Sequence, residues 1–387
     1  MRDKIIKLGL MLCYKIKRRS IRKKFILLFH FILLFITNVF FVFNNLWLSV
    51  YLISGKEKHT KFNISIIFIG NDLTSMSYIN SLLFEDIEFV KKIGKTNVLK
   101  LKKINKKSYN ADIVFTKIHY FFSRFLQKNN YILIPEWNEM ILDITDPMEK
   151  ILMNFNSSTR LCINNAKKYT YYYEITKDIE KLKMFYYEMY MPYITKRYGS
   201  LALYTTFEYM RSLIEIGRLF LVKKDEKYVF GFLLINVNKC TVMLTHEAGI
   251  EEKLEKNITT LSIYYSMLWA KEKNIEKYHF GYSRSFLNDG VLQYKKKWRP
   301  TIKSCRNKIV AYNLTGVLGL KINNKNHGVE NFLVNNPFIS ISNNKLISLV
   351  FTLEDQFHQD KNHIMKKYKI DGIAEQRILH TKDCFNK

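Results

Sequence analysis

The sequence predicts an α/β protein with two successive mixed-sheet domains, each with helices on both faces of its sheet, preceded by a hydrophobic helical segment. Three observations lead to this prediction. Short β-branched runs alternate with helical stretches over residues 60–147, which is typical of an α/β layer. Residues 148–310 read as helices, several antiparallel strands, a helix and a final strand. Residues 25–54 contain no Asp, Glu, Lys or Arg.

These patterns divide the 387-residue chain into four predicted segments. Residues 1–58 form a basic arm with a hydrophobic membrane-associated helix, and residues 60–147 form the first α/β domain. Residues 148–310 form the second domain, and the Asn-rich residues 311–387 form an accessory C-terminal subdomain. Within the first domain we expect one continuous helix over SMSYINSLLFEDIEFVKKIG and a strand at NVLKL.

The charge of the chain does not by itself select a partner. The 62 Lys and Arg residues against 34 Asp and Glu residues give a net charge of +28, which favours phosphate-bearing partners. The abundance of Lys, Asn, Ile, Tyr and Phe is also what an AT-rich genome imposes on any protein. No helix-turn-helix, zinc or RRM signature is present, so we expect no DNA partner.

The five cysteines, Cys13, Cys162, Cys240, Cys305 and Cys384, are dispersed and form no CxxC pair. This spacing predicts neither a disulfide framework nor a metal site. We therefore expect a reduced catalytic region on the cytoplasmic side and no metal cofactor.

The N-terminus combines a basic arm with an apolar run. Residues 1–24 hold ten Lys or Arg residues and one Asp, and residues 25–43 nearly supply the length of a bilayer span. The positive-inside rule would move whatever follows a span outside the cytoplasm, unless the segment lies in the interface or re-enters at Asn44-Asn45. We expect a cytoplasmic, membrane-associated protein that contacts lipid through residues 25–54. The sequence does not decide whether this segment spans the bilayer or lies in its interface. The alternative to membrane association is a pair of ordinary buried helices.

No P-loop, Rossmann, HExxH or GxSxG motif occurs, which leaves three groups of candidate residues. The first lies where the loop EEKLEKN meets a predicted helix. Lys256 and Asn257 precede that helix, and Thr259 or Thr260 would cap it, an arrangement that suits phosphate. The alternative is an ordinary capped helix behind a solvated charged loop.

The second group is the pair His246 and Glu247 at the end of a predicted strand, where either side chain could take a proton from an attacking amine. The alternative is that both residues are structural. The third group, in residues 280–300, would bind an anion and comprises Arg284, Asp289, Tyr294, Lys295 and Trp298. The alternative is a basic helix whose lysines offset the helix dipole.

Three segments, in this order, resemble a known family. SSTRLCINNAKK, with Arg160, Ile163 and Lys167 or Lys168, resembles the R-x-x-I-x-x-A-x-K segment of Fem-type aminoacyltransferases and CelD/BcsL-like GNAT acetyltransferases. FYYEMYMPYITKRYG, with Arg197 and Tyr198, resembles their helix ending in Tyr/Arg-His-Gly. HFGYSRSFLNDGVLQYKKKWRP is similar to their closing F-G-x-S/R…D-G…(Y/F)-K-x-x-W-G, with Arg299-Pro300 in place of the usual glycine.

The resemblance implies tandem GNAT-like domains, the second of them catalytic, and an N-acyltransferase in which an amine attacks the acyl carbonyl directly. The expected acceptor is a small-molecule or glycan amine of a cell-envelope or polysaccharide precursor. The expected donor is acetyl-CoA or another acyl-CoA. EEKLEKNITT lacks the glycines of the usual pyrophosphate loop, so aminoacyl-tRNA is the alternative donor, as in Fem-type enzymes. A non-catalytic scaffold that binds a phosphorylated glycan is the alternative outside enzymes.

Overall fold

The computed structural model of the protein describes residue 13 and residues 19–103, 111–166, 171–198, 205–250, 257–305, 316–353 and 361–381. The chain divides into two compact units. Unit 1 comprises residues 1–33, 140–281 and 295–301, and unit 2 comprises residues 34–139, 282–294 and 302–387. Both units are discontinuous in sequence, so neither coincides with a single predicted domain.

The strands are, in chain order, β1 (Leu48–Glu57), β2 (Asn63–Ile69), β3 (Phe84–Thr96), β4 (Ile113–His119), β5 (Ile132–Pro135), β6 (Trp137–Asp143), β7 (Tyr172–Thr176), β8 (Gly217–Lys224), β9 (Lys227–Asn236), β10 (Thr241–Gly249), β11 (Lys277–Arg284), β12 (Thr301–Ser304), β13 (Gly316–Ile322), β14 (Phe338–Ser342), β15 (Lys345–Thr352) and β16 (Glu375–His380).

The α-helices are α1 (Arg19–Asn44), α2 (Leu73–Leu83), α3 (Ser123–Gln127), α4 (Met148–Asn154), α5 (Ser157–Ala166), α6 (Ile179–Met184), α7 (Met191–Tyr198), α8 (Phe207–Ile216), α9 (Ile258–Glu272), α10 (Gly290–Lys296), α11 (His327–Asn335) and α12 (Lys361–Tyr368). A π-helix, Phe185–Tyr190, joins α6 to α7. Two 3₁₀ helices occupy Val98–Lys103 and Tyr120–Phe122.

A seven-stranded mixed sheet has the order β12-β6-β11-β10-β9-β8-β7, and its strands β7 to β10 lie wholly in unit 1. Strands β7 to β10 run antiparallel to their sequence neighbours; short turns join β8 to β9 and β9 to β10, whereas α6, the π-helix, α7 and α8 lie between β7 and β8. Strand β11 pairs with β10 in parallel, after the crossover through α9. Leu182, Phe185 and Met210 from the helices pack with Leu219 and Leu233 of β8 and β9 in one buried cluster.

Unit 2 contains a six-stranded sheet, β3-β1-β2-β4-β13-β5, and a three-stranded sheet, β14-β15-β16. Both are mixed, because β2 pairs with β4 and β15 with β16 in parallel, whereas β1 pairs antiparallel with β2 and β3, β13 with β4 and β5, and β14 with β15. Ile66, Phe115 and Leu320 of the large sheet pack with Ile79 of α2 and Phe332 of α11. The predicted α/β class with mixed sheets is confirmed.

The predicted accessory subdomain is not separate in the structure. Strand β13 lies between β4 and β5 and pairs antiparallel with both. Residues 302–387 consequently belong to the same unit as residues 34–139. The sequence pattern could not show this, because the strands that pair are about 200 residues apart and register is set by tertiary packing.

Two local predictions in unit 2 were wrong. The expected continuous helix ends at Leu83, and β3 follows at once and pairs along the whole of β1. Backbone pairing with β1 therefore overrides the helical spacing of this segment. The segment NVLKL, expected as a strand, lies largely in the 3₁₀ helix Val98–Lys103.

The hydrophobic N-terminal segment is only partly helical. Helix α1 ends at Asn44, and the last seven residues of the predicted membrane segment begin β1, with Val50 and Ile53 buried. In the first half of α1, Ile26 and Leu33 are buried, and Leu33 packs against Phe29 and Tyr209 of α8. A helix of sufficient length and hydropathy to span a bilayer is not found among the described residues.

The adjoining face of this half of α1, about 100° round the helix from the buried side chains, is also apolar. Phe25, Leu28 and Ile32 are 49%, 53% and 45% exposed, and they repeat at the same three- and four-residue spacing as the buried side chains. Helix α1 is therefore hydrophobic on both faces, which water-soluble surface helices are not.

Candidate active site

Strands β10 and β11 separate part-way along their length. Their parallel register covers only residues 241–243 and 277–279. Beyond it, the N–H of Gly281 donates a 2.9 Å hydrogen bond to Nδ1 of His279, on the same strand. Gly281 has φ +77, and a Cβ at this position would lie 3.3 Å from the carbonyl oxygen of Leu244. This left-handed glycine turns β11 away from the direction that continued pairing would need.

On its other side, β10 is bulged against β9. The register shifts between Thr245 and Ala248, so that His246 and Glu247 together lie opposite Phe232. His246 has φ +54, which is rare for a residue with a side chain. Bulges re-aim side chains and are common beside active sites, and backbone strain also concentrates there. The bulge comprises His246 and Glu247, and the strained backbone is that of His246, so both features fall on the pair that the sequence predicts to handle the proton.

The imidazole of His246 is occupied at both nitrogens. Nδ1 lies 3.0 Å from Oγ1 of Thr245, and Nε2 lies 2.9 Å from Oγ1 of Thr205. The ring of Tyr190, at the end of the π-helix, lies 5.7 Å away, centroid to centroid. Burial lowers the pKa of His246 to about 4, so the ring is neutral near pH 7. A neutral imidazole offers one donor and one acceptor, and the two hydroxyls use both. His246 is suited to holding the bulge.

Glu247 is in a different situation. Burial raises the pKa of its carboxyl, while the positive charges of Lys295 and Arg197 oppose that shift. The ammonium of Lys295 lies 3.6 Å from the Cβ position of residue 281. Arg197 is exposed and donates a 2.6 Å hydrogen bond to the hydroxyl of Tyr193. Lys295 thus lies beside Gly281, and its charge acts on the carboxyl of Glu247 at the end of β10.

This arrangement is chemically suited to acyl transfer. A partly buried carboxylate with a raised pKa is a stronger base than an exposed one and can accept a proton from an amine. Where β10 has lost β11, its backbone N–H groups and the ammonium of Lys295 can stabilise negative charge on a carbonyl oxygen.

The helix that follows β10 begins at Ile258, with Asn257 as its N-cap. The prediction that Thr259 or Thr260 caps this helix is wrong, because both lie within its first turn. Asn257 makes no side-chain capping bond, which leaves the first N–H groups of α9 for another acceptor. Lys168 and Lys256 lie outside the described residues, and so does the side chain of Tyr198, the last residue of α7.

Two other predicted site residues of unit 1, Arg160 and Trp298, have contacts that are typical of residues that stabilise the fold. The guanidinium of Arg160 donates hydrogen bonds of 2.7 and 2.9 Å to the carbonyl oxygens of Met153 and Phe155, at the end of α4. Trp298 is fully buried, and its ring lies 5.1 Å from that of Phe155 and 5.8 Å from that of Phe280. Trp298 therefore packs in the core, and Arg160 closes the end of α4.

Arg284, Asp289 and Tyr294 belong to unit 2, so the predicted 284–298 group is divided between the units. Arg284 donates a 2.8 Å hydrogen bond to Oε1 of Glu136 and lies over the rings of Trp137, at 3.9 Å, and Tyr78, at 4.8 Å. The hydroxyl of Tyr78 donates to Oδ2 of Asp289 at 3.2 Å. Asp289 also accepts the N–H groups that begin α10.

The same part of unit 2 holds a buried lysine that the sequence did not single out. Lys117 of β4 forms an ion pair with Glu136, and the two side chains are only 2% and 5% exposed. Asp72, the N-cap of α2, lies 3.4 Å from the Lys117 ammonium. Burial lowers the pKa of Lys117 to about 7, while Asp72 opposes that shift. Glu136 binds two cations, Lys117 and Arg284, and Asp72 supplies the second carboxylate. The charges of the cluster are therefore balanced, which suits it to holding the fold.

Sequence reasoning also missed Thr205, Tyr190, His279 and Gly281 in unit 1. Only the Phe-Gly dipeptide at residues 280–281 offered a signal, since glycine inside a strand often marks a bulge or a close approach. Among the described residues, no group of three or more His, Cys, Asp or Glu side chains is placed to hold a metal ion.

Several solved structures are similar in fold. FemX is 15% identical with a TM-score of 0.38, covering 69% of this chain and 83% of that chain. L-PGS from Bacillus licheniformis is 14% identical with a TM-score of 0.35, covering 70% and 81%. A putative GNAT acetyltransferase from Novosphingobium aromaticivorans DSM 12444 is 7% identical with a TM-score of 0.27, covering 48% and 63%. No family model and no curated protein sequence matches the chain. At these identities and TM-scores the similarities assign no activity.

Proposed function

We propose that the protein is an N-acyltransferase whose active site lies at the bulged end of β10 in unit 1. The observation that carries this proposal is the coincidence of two irregularities on one strand. Strand β10 loses β11 after residue 243 and is bulged against β9 at His246 and Glu247. Two further observations support it: the positive charge of Lys295 acts on the partly buried carboxyl of Glu247, and the Lys295 ammonium lies 3.6 Å from the Cβ position of Gly281.

In the proposed reaction, the amine nitrogen attacks the carbonyl carbon of the acyl donor. The new C–N bond forms, the bond to the leaving group breaks, and Glu247 takes the proton that the nitrogen loses. Backbone N–H groups at the open end of β10 and the Lys295 ammonium stabilise the oxyanion. His246 positions Glu247 through its bonds to the hydroxyls of Thr205 and Thr245.

Acetyl-CoA, or another acyl-CoA, is the proposed donor, and an amine of a cell-envelope or polysaccharide precursor is the proposed acceptor. The support for a phosphate-bearing donor is the first turn of α9, where Asn257 provides no side-chain cap. Aminoacyl-tRNA is the second candidate donor, because the loop before α9 contains no glycine.

The donor is tested by calorimetric titration of the full-length protein with acetyl-CoA. We expect binding in the wild type and at least ~10-fold weaker binding in Lys295→Ala, because the ammonium that stabilises the oxyanion would also contact the carbonyl oxygen of the bound donor, and the substitution removes this charge-assisted contact. Lys297→Ala is the matched control, since Lys297 is exposed in the same segment. Absence of acetyl-CoA binding, with tRNA binding that falls steeply with salt, would replace the CoA donor by aminoacyl-tRNA. If neither donor binds, the non-catalytic scaffold becomes the better account.

We also propose that the protein associates with the cytoplasmic side of a membrane through α1. The support is the apolar outer face formed by Phe25, Leu28 and Ile32, since a helix that is hydrophobic on both faces needs an apolar medium on its outer side.

A further inference from the structure

A cavity of unit 1 lies at the other end of β10 from the proposed active site. It measures about 580 Å³ and is lined in part by Arg218 at the start of β8, Lys239 in the turn before β10, and Lys273 just after α9. Lys239 precedes His246 by seven residues, which along a strand is about 20 Å. This cavity is therefore not part of the acyl-transfer site.

Three of the four cationic side chains that line this cavity do not serve to stabilise the fold. Arg218, Lys239 and Lys273 are exposed, and within the described residues none of them has an ion-pair partner. The fourth cation of the lining, Lys177, is used instead, because its ammonium donates two 2.9 Å hydrogen bonds to the last carbonyls of α8. Glu215 is the acidic residue of the lining, and it is only 9% exposed. The exposed charge of the cavity is consequently positive.

The cavity also adjoins the apolar helix. Leu27 of α1 lines it and is 50% exposed. Its neighbours Phe25 and Leu28 on the outer face are equally exposed. Trp269 of α9 lines the cavity too and is partly buried. Cations, a tryptophan and exposed apolar side chains next to one another are the composition of a protein surface at the boundary between lipid headgroups and acyl chains.

We propose that this cavity, lined by Arg218, Lys239 and Lys273, binds the phosphate headgroups of an anionic membrane while the outer face of α1 contacts the acyl chains. The inference rests on the proposed membrane association and adds to it a site that selects anionic lipid. The cationic residues supply the charge complementarity, and Leu27 makes the site continuous with the apolar face.

The test uses full-length protein and two kinds of vesicle, phosphatidylcholine alone and phosphatidylcholine mixed with phosphatidylglycerol. The triple variant Arg218→Gln, Lys239→Gln, Lys273→Gln should lose on the order of 100-fold in affinity for the anionic vesicles, about fivefold for each basic residue. Its binding to phosphatidylcholine and its circular dichroism spectrum should match the wild type.

The control is Lys150→Gln, Lys183→Gln, Lys227→Gln, which removes the same number of lysine or arginine charges from exposed positions of unit 1 outside the cavity. An equal loss in both triple variants would show a general charge effect and overturn the inference, as would undiminished binding of the cavity variant to anionic vesicles. Calorimetry with inorganic phosphate distinguishes binding of a free phosphate ion in the cavity from binding of a lipid headgroup. Phosphate binding that the cavity variant loses, with vesicle binding intact, would assign the cavity to a soluble phosphate.

Two further outcomes distinguish this inference from the proposals on which it rests. Failure of the wild type to bind either vesicle would refute membrane association itself, whereas acyl transfer would be unaffected. Loss of tRNA binding in the cavity variant, with vesicle binding retained, would make the cavity a nucleic-acid contact and overturn the lipid assignment.

Discussion

His246 and Glu247 are adjacent residues whose surroundings suit them to different tasks. The imidazole is held by two hydroxyls and kept neutral by burial. The carboxyl has a pKa raised by burial, against which Lys295 and Arg197 act. The raised pKa makes the carboxylate the stronger base of the two, so our proposal gives the role of proton acceptor to Glu247 and the positioning of the bulge to His246.

The first prediction concerns His246 and pH. The folded protein holds its pKa near 4, below the ordinary value of 6.5, so between these values the unfolded chain binds more protons. The stability that neutral His246 contributes is therefore complete above pH 6.5 and is lost as the pH falls towards 4. Urea unfolding at a series of pH values should show this loss in the wild type and less of it in His246→Gln. His59→Gln, at an exposed position, should behave as wild type, and identical slopes in all three proteins would contradict the assignment.

The second prediction concerns the buried pair of unit 2. Lys117→Met leaves Glu136 buried without one of its two cations, and we expect a loss of about 3 kcal/mol in the free energy of unfolding. Adding Glu136→Gln should cost less than the single changes imply, with a coupling of roughly 1–3 kcal/mol. Urea denaturation of the single and double variants measures this coupling. Additive effects would show that the two side chains do not interact.

At the scale of elements, the divergence of β11 from β10 depends on one glycine. Its left-handed φ and the bond from its N–H to His279 turn the strand. The π-helix is a second such device, because its wider turns end at Tyr190, next to His246. The glycine turn of β11 and the π-helix, and no individual charged residue, create the open end of β10.

The third prediction tests that glycine. Gly281→Ala places a methyl group 3.3 Å from the Leu244 carbonyl oxygen at φ +77. We expect a loss of about 1–2 kcal/mol in stability and a fall in acyl transfer, because the new methyl group also approaches the Lys295 ammonium. Gly290→Ala is the matched control, since a Cβ there meets nothing within 4 Å. A Gly281→Ala protein with wild-type stability and turnover would show that the strand does not need the left-handed residue.

The local sequence pattern was sufficient to predict part of this architecture. The order of β10, α9 and β11 follows from alternating apolar residues and turn residues, and so does the position of His246 and Glu247 at a strand end. The pairing of β3 with β1 and the insertion of β13 between β4 and β5 do not, because the partners are distant in sequence. For the same reason the Lys117–Glu136 pair carried no local signal. The division of Arg284 from Lys295 between the units likewise depends on tertiary packing.

At the scale of the whole molecule, the net charge of +28 and the apolar α1 point to the same environment. Basic residues favour an anionic surface, and exposed apolar side chains favour its interior. A membrane location would also give an acyltransferase access to amines of lipid-linked envelope precursors, the acceptor class proposed above.

The fourth prediction separates the two faces of α1. Changing Phe25, Leu28 and Ile32 to Ser should abolish vesicle flotation and leave thermal unfolding unchanged, because these side chains are about half exposed. Changing the buried Ile26 and Leu33 to Ala should lower the free energy of unfolding, by roughly 2–5 kcal/mol for each side chain. Flotation that survives the outer-face substitutions would place the membrane contact elsewhere.

The most direct test of the central claim is the turnover number of Glu247→Gln in an acyl-transfer assay. The assay follows thiol release from acetyl-CoA with a panel of amino sugars, amino acids and peptides as acceptors. We predict that turnover falls at least ~100-fold, the size expected for loss of a general base, while acetyl-CoA affinity is unchanged. The exposed Glu226→Gln should retain wild-type turnover. Turnover of Glu247→Gln within a few-fold of wild type would contradict the assignment of the active site to the bulged end of β10.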